Sequence, residues 1–552
     1  MVRISSDFSK TALQTAIVLI FLCLRLLLDN NMSGLVWNEV DVLPLAKQFV
    51  APDWIPNDWY LNSETNYRAL FQVIFGWLIV HLGFLPTSVI GRLICYTLVA
   101  WGIVLLGQKL GLSLSYLLLA TIAVTYQGSL QGAIAGEWFV GGLEAKAVAY
   151  GLILLAIALM LSRRYVLMIL LLGCATSFHV LVGGWAFLTT LAWFCVRPKK
   201  RLWQIRQKGW LLPIIYLIAS AGAIPGSLQQ LLNSPPSGDI SPSFIYVFLR
   251  LPHHLNPFAW HPLFWLRLIV YLAILAGCTI SLKQKADTKG WQAEDYARFD
   301  LAEFTLISLI PFVAGVAIAF FDHQGTWLQY YPFRFGDMML PLTTSLLFAC
   351  YLETKFSLQK PKFRLWLVAC LSCILFVQVA FFTQQAITSL SFANAVTTFP
   401  SEQQDVDPQW KSMSDWIHDH TAEDAIIISH PWKLANFTWM TERATIAKLK
   451  LFPQTKDAIV EYYERLNDLS GGAVAKIYFG DEKLDQRKTV KAISAGFSAL
   501  NTVQVQELMT KYKSNYFLTD RSHHLDLPIV HTQAAYILYG RAYREKNDLR
   551  LK

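Results

Sequence analysis

The chain is short of charge. Only 15% of its 552 residues are Asp, Glu, Lys or Arg, against ~25% in an ordinary soluble domain, while 54% are hydrophobic and the mean hydropathy is +0.38. That excludes a soluble globular protein. Modest Pro and Gly (22 and 30) beside 34 Phe, 22 Tyr and 19 Trp exclude a collagenous or disordered chain. Cysteine is also scarce, with eight residues, all in or beside apolar runs and none after Cys373. A disulfide scaffold is therefore excluded, and cysteine usage does not report the compartment. Cys370 and Cys373 form a C-x-x-C inside an apolar run, where buried thiols are expected instead of a redox or zinc pair. No internal repeat or low-complexity tract is present.

What the chain does have is a series of apolar runs long enough to cross a lipid core. They predict spans near 11–28, 67–85, 87–106, 143–161, 164–179, 181–196, 210–229, 262–282, 304–321, 334–352 and 365–386. Lys10 precedes the first run and no small-residue cleavage site follows it, which favours a retained anchor. The net charge of +9 could point to nucleic acid, but the basic clusters (RPKKRLWQIRQK at 197–208, KPKFR at 360–364, Arg163-Arg164) lie between apolar runs. They read as cytoplasmic topology determinants, so no nucleic-acid partner is expected. Loop 29–66, acidic and aromatic, then faces outside. Residues 112–142 hold a short apolar run followed by GSLQGAIAGEWFVGG, read as a re-entrant or partial helix lining a cavity. The expected fold is an α-helical polytopic membrane protein of about 11–13 spans over residues 1–386, with a small extracytoplasmic α/β domain over 387–552. AIIISH (425–430), NYFLTD (515–520) and AAYILYG (534–540) look like its strands, and 455–467 and 501–513 carry helical spacing. Expected localisation is a bacterial inner (plasma) membrane with a cytoplasmic N-terminus.

Three clusters could carry chemistry. In loop 29–66, Glu39 and Asp41 follow the first span, and Trp37, Trp54 and Trp59 interleave the acids. A carboxylate near the apolar boundary gains a raised pKa suited to general-base work, and two at this spacing could share a divalent cation such as Mg or Mn. A solvated loop obeying the charge bias is the competing reading. The second cluster is EWFVGGLEAKAVAY, 137–150, where Glu137, Glu144 and Lys146 sit at a span mouth, with His179 ending a later span. A pair snorkelling at a helix end and a hydrogen-bonded structural His compete with a functional role. The third joins FLRLPHHLNPFAWH (248–261) and FDHQGTWLQYYPFRFGD (321–337), bringing Arg250, His253, His254 and Arg334 to the outer surface. A guanidinium suits a lipid-linked phosphate, with headgroup anchoring as the alternative. His418/His420 and His523-His524 make poor metal pairs, the sequons at Asn31 and Asn436 are short enough to arise by chance, and the charged stretch Glu442 to Arg465 reads as a solvated face.

A long first outer loop with an acid pair, many spans and an outer α/β domain together resemble the GT-C superfamily of membrane glycosyltransferases. The chain is also similar to a group of multi-span proteins common in cyanobacteria, through PNDWYLNSETNYRALF, GGLEAKAVAYG, FHVLVGGW and MSDWIHDHTAEDAIIISHPW. The resemblance implies transfer of a sugar from a polyprenyl-phosphate donor to a lipid, glycan or protein acceptor at the outer face. It implies Asp41, with Glu39 beside it, as base or metal holder, and Arg334, Arg250 and Lys146 as donor-phosphate cations. Glu-Val-Asp stands where the oligosaccharyltransferase branch has Asp-x-Asp, and that branch's Trp-Trp-Asp is lacking, which sets the chain apart from protein N-glycosylation. A polytopic transporter or lipid-handling protein and a non-catalytic assembly scaffold are the alternatives. The scaffold predicts that Glu39 and Asp41 share no pocket with Arg334.

Overall fold

A computed structural model describes residues 2–29, 35, 38–63, 66–125, 131–196, 209–232, 240–356, 408–480 and 486–541. The predicted span 365–386, the C-x-x-C, Trp37, the Asn31 sequon and the basic clusters at 197–208 and 360–364 lie outside these residues. The chain is an integral multi-pass membrane protein. Among the described residues four helices are long and apolar enough to cross a bilayer: α4 (Phe84–Lys109), Pro262–Lys289, Ala293–Ile318 and Arg334–Lys355. The pair Leu211–Ala219 and Ala221–Gln230, bent by 52°, makes a fifth. Shorter apolar helices include α3 (Ala69–Leu82), α5 (Leu114–Thr125), α6 (Ala145–Leu161), α7 (Tyr165–Phe178) and α8 (Val180–Val196).

Two sequence expectations need correction, and the corrections offset each other. The 112–142 stretch runs the length of helix Arg334–Lys355: Ser113 N–H donates to Glu353 (3.1 Å) at one end, and Ala133 N–H donates to the Asp337 carbonyl (2.9 Å) at the other. Sixteen helical residues separate those partners, about 24 Å, so the described parts of this stretch, 112–125 and 131–142, meet opposite ends of that helix instead of returning to one end. The 67–85 stretch does return. Arg68, just before α3, lies within electrostatic reach of Asp41, while Phe84, just after it, has its ring 5.8 Å from Trp54 and 6.3 Å from Trp439 of the C-terminal domain. Both ends of α3 are thus on the domain side. It folds back on α2 (Glu39–Val50) so closely that a Cβ on Gly76 would meet the Ala46 carbonyl at 2.0 Å. Hydropathy missed this because an interfacial helix pair is as apolar as a short span.

At the C-terminal end, a five-stranded sheet runs in the order β2-β1-β3-β5-β4, with β1 (Ile426–Ile428), β2 (Ala444–Thr445), β3 (Tyr516–Asp520), β4 (Ile529–Gln533) and β5 (Tyr536–Gly540). β1 pairs in parallel with β2 and β3; β5 runs antiparallel to β3 and β4. Helices Lys456–Leu469, Gln486–Ser498 and Thr502–Lys511 accompany it, so the α/β expectation is met with added elements. The solvated reading of 442–465 fails at two positions, because Arg443 and Lys448 are buried. Arg443 donates to Thr421 and to the carbonyls of His418 and Thr421, and Lys448 donates to Ser429 and the His430 carbonyl. Asn436 of the second sequon is also buried.

This domain sits on the 38–63 segment. Lys47 pairs with Glu442 (2.9 Å), Trp54 Nε1 donates to Glu442 (3.1 Å), Asn57 donates to the Asp424 carbonyl (2.8 Å), and Thr445 N–H donates to Asp58 (3.0 Å). First loop and C-terminal domain therefore share one side of the protein.

Candidate active site

The site grows from the first turn of α2. Glu39 and Asp41 are two residues apart, so about 200° of helix turn sends their side chains in different directions. Glu39, wholly buried, accepts from Arg92 Nε (2.7 Å) and Nη2 (2.5 Å), from Ser88 (2.9 Å) and from the Leu143 N–H (2.6 Å). Four donors satisfy both oxygens, and the fork on a carboxylate is a strong, directional pair. Glu39 is an anchor tying α2 to α4 and to the turn before α6.

Asp41 has one side-chain donor among the described residues, the Tyr60 hydroxyl. Around it stand Arg68, Arg250 and Glu144. Burial pushes its carboxyl up to about 6, against the opposing pull of the Tyr60 bond and the two guanidiniums. Glu144 is held by Asn38 Nδ2 (2.7 Å) and begins α6.

A second group lies deeper. Arg334 Nε donates to Glu137 Oε1 (2.7 Å), and Lys146 Nζ is 3.9 Å from the other Glu137 oxygen. Arg334 also lies over the Tyr331 ring (3.7 Å) and 3.5 Å from His179 Nε2, and Lys146 lies over Trp138 (4.1 Å). The irregular backbone that carries Glu137 is made affordable by two side chains. Asp337 accepts from the N–H groups of Ile134 (2.7 Å), Ala135 (2.9 Å) and Glu137 (3.2 Å), and Gln131 closes the turn onto Phe139 and Val140. Gly132 is required there, since a Cβ would meet Asp337 Oδ2 at 2.0 Å. Non-helical backbone at membrane depth persists only when satisfied this way.

The two groups are electrically joined. Arg68 is within reach of both Asp41 and His179, and Arg250 within reach of Asp41, His253 and His254, while Lys146 and Arg334 reach His254. His254 bonds the Ala135 carbonyl (2.6 Å), and burial, backed by those cations, holds its imidazole down to about 3, so it is neutral at physiological pH. His253 is exposed at the rim. The structure thus gathers Asp41, Glu144, Arg250, Glu137, Lys146, Arg334, His179, His253 and His254 on one side, and turns Glu39 away.

Sequence reasoning missed Tyr60, Arg68, Arg92 and Asp337. The available signal was an isolated charge inside an apolar run, as ionisable groups there face a partner or a cavity; Arg68, Arg92 and Asp337 all fit it. A shared divalent cation does not suit the acid pair: Glu39 is fully engaged, and among the described residues no group of three or more His, Cys, Asp or Glu is placed to hold a metal.

The class defined by fold and site is a multi-pass membrane protein with a mixed-charge cluster under an α/β domain. A family model described as a domain of unknown function (DUF6798) matches residues 408–469, the stretch from the domain's first helix through Lys456–Leu469. No curated protein matches the chain. Among solved structures, it is similar to ArnT from Cupriavidus metallidurans bound to undecaprenyl phosphate, at 11% identity and a TM-score of 0.46, over 97% of this chain and 98% of that one. It is also similar to the archaeal oligosaccharyltransferase AglB from Archaeoglobus fulgidus in complex with an inhibitory peptide and a dolichol-phosphate, at 10% identity and a TM-score of 0.48, over 92% and 69%.

Proposed function

We propose that the chain is an inverting glycosyltransferase that moves a sugar from a polyprenyl-phosphate donor to a lipid, glycan or protein acceptor, on the extracytoplasmic face of the membrane. The observation that carries the reading is a partly desolvated carboxylate, Asp41, set beside the guanidiniums of Arg68 and Arg250, which form no ion pair within 4 Å among the described residues. Displacement at an anomeric carbon makes two demands: the acceptor hydroxyl must lose its proton, and the departing phosphate must be stabilised. In this reading Asp41 takes the proton as the acceptor oxygen bonds to the anomeric carbon. The bond from that carbon to the phosphate oxygen breaks, and its electron pair leaves with the phosphate. Arg250, with Arg68, receives that charge, and Arg334 and Lys146 support it from the deeper group, where Glu137 keeps their net charge low. Neutral His254, whose one N–H is given to the Ala135 carbonyl, adds no charge to the cluster.

The test is glycolipid and glycan profiling of cells carrying Asp41→Asn or Arg68→Gln. Loss of one glycosylated species in both, with protein still inserted, is the expected result. An unchanged profile in Asp41→Asn rejects the assignment. Profiles that stay intact while movement of a lipid across the bilayer stops would move the protein to the lipid-handling class.

A further inference from the structure

We propose that the C-terminal domain is a positioning element of the site: through Asp58 it holds Tyr60, and Tyr60 holds Asp41. The proposal rests on the reading of Asp41 as the base. Asp58 is wholly buried, and its two oxygens accept from Leu61 N–H (2.9 Å) and from Thr445 N–H (3.0 Å) on strand β2. An ionisable group is buried at such cost only where its bonds are fixed, and one of these two crosses from the membrane loop to the domain. Two residues on, Tyr60 is 3% exposed and packs in one cluster with Leu45, Ile55 and Leu61 of the loop and Ala444 and Leu451 of the domain. Its ring is clamped between the two parts of the protein while its hydroxyl donates to Asp41.

Other contacts repeat the tie. Arg465 of the domain lies over Trp59 (4.5 Å), and Lys47 and Asn57 bond the domain directly. The domain also reaches the site through Tyr462, whose hydroxyl bonds the Leu449 carbonyl (2.7 Å) and lies against Arg250. Asp41 is thus faced by Tyr60, Tyr67 and Arg68 from the loop, Glu144 at the start of α6, Arg250, and Tyr462 from the domain. Of these, Tyr60 alone is both bonded to the carboxylate and buried in the interface. A hydroxyl donating to a carboxylate favours its charged form, so removing it raises the pH at which Asp41 gains its proton.

The experiment needs no substrate. The full chain in lipid nanodiscs is titrated with a carbodiimide, which modifies protonated carboxyls, and Asp41 modification is read by peptide mass spectrometry. In the parent chain, half-modification is expected near pH 6, where burial places the group. Tyr60→Phe should shift it upward by roughly one unit, the worth of a charge-assisted hydrogen bond. In an Asp58→Asn background the added Tyr60→Phe should produce no further shift, because a residue acting through another is not additive with it. The proposal is overturned if Tyr60→Phe does not move the midpoint, or moves it equally with and without Asp58. Should Asp58→Asn fail to fold, Leu451→Ala, which trims the domain side of the buried cluster around Tyr60, serves as the background. Failure of the functional reading is seen separately, as an unchanged glycolipid profile in Asp41→Asn.

Discussion

Glu39 and Asp41 stand two residues apart on one helix, and their surroundings differ completely. Glu39 has four donors from two other elements and no exposed surface. Asp41 has one side-chain donor among the described residues, cations at a distance and some surface left open. A carboxylate whose lone pairs are all occupied cannot accept a proton or a ligand without breaking the fold, whereas one with a single side-chain donor beside guanidiniums can. The contrast shows how one helical turn can separate a structural acid from a chemical one.

The comparison is broken most sharply by Asp41→Asn. Loss of a general base should lower transfer ~10²–10⁴-fold, while thermal unfolding holds or rises, since the removed charge is one that burial disfavours. A transfer rate within threefold of the parent would erase the distinction. Glu39→Gln should behave in the opposite way: it leaves Arg92 buried and unpaired, at a cost of about 3–5 kcal/mol, read as a lower melting temperature and poor yield. A Glu39→Gln protein that melts like the parent but cannot transfer would exchange the two roles.

A third outcome concerns pH. With Asp41 raised to about 6 by burial, the active carboxylate form grows as pH rises through that value, so transfer should fall about tenfold per unit below it. A rate flat from pH 5 to 8 would remove Asp41 from proton transfer. The smallest effect is expected from Lys47→Met, which breaks a partly exposed ion pair with Glu442 (18% and 33% exposed). Such a pair is worth ~0.2–1 kcal/mol, so melting should shift by a degree or two at most. A larger loss would mean that the loop and domain dock through this pair rather than through buried Asp58.

Much of this was legible from composition. The apolar runs, the water-facing α/β domain and its three main strands follow from local patterns, because burial in lipid and in a sheet leaves a signature in neighbouring residues. The third cluster was also legible, since Arg250, His254 and Arg334 lie in aromatic loops between runs. The placement of 112–125 and 131–142 against opposite ends of helix Arg334–Lys355 was not. Asp337 and Gln131 satisfy the irregular backbone over 131–140, and neither partnership leaves a local trace. The fold-back of α3 was likewise hidden, because its apolar face is indistinguishable from a span until Gly76 is seen against Ala46.

Residue order alone was enough to make this a membrane protein with acids and arginines gathered toward one face, for hydropathy and charge bias are sums over adjacent positions. Which acid became the anchor and which stayed open depended on partners 53 and 104 positions away for Glu39. The tie from Asp58 to Thr445 spans 387. Contacts at such separations exist only after the chain has closed on itself, and they are what sets a carboxylate's solvation, its donors and its chemistry.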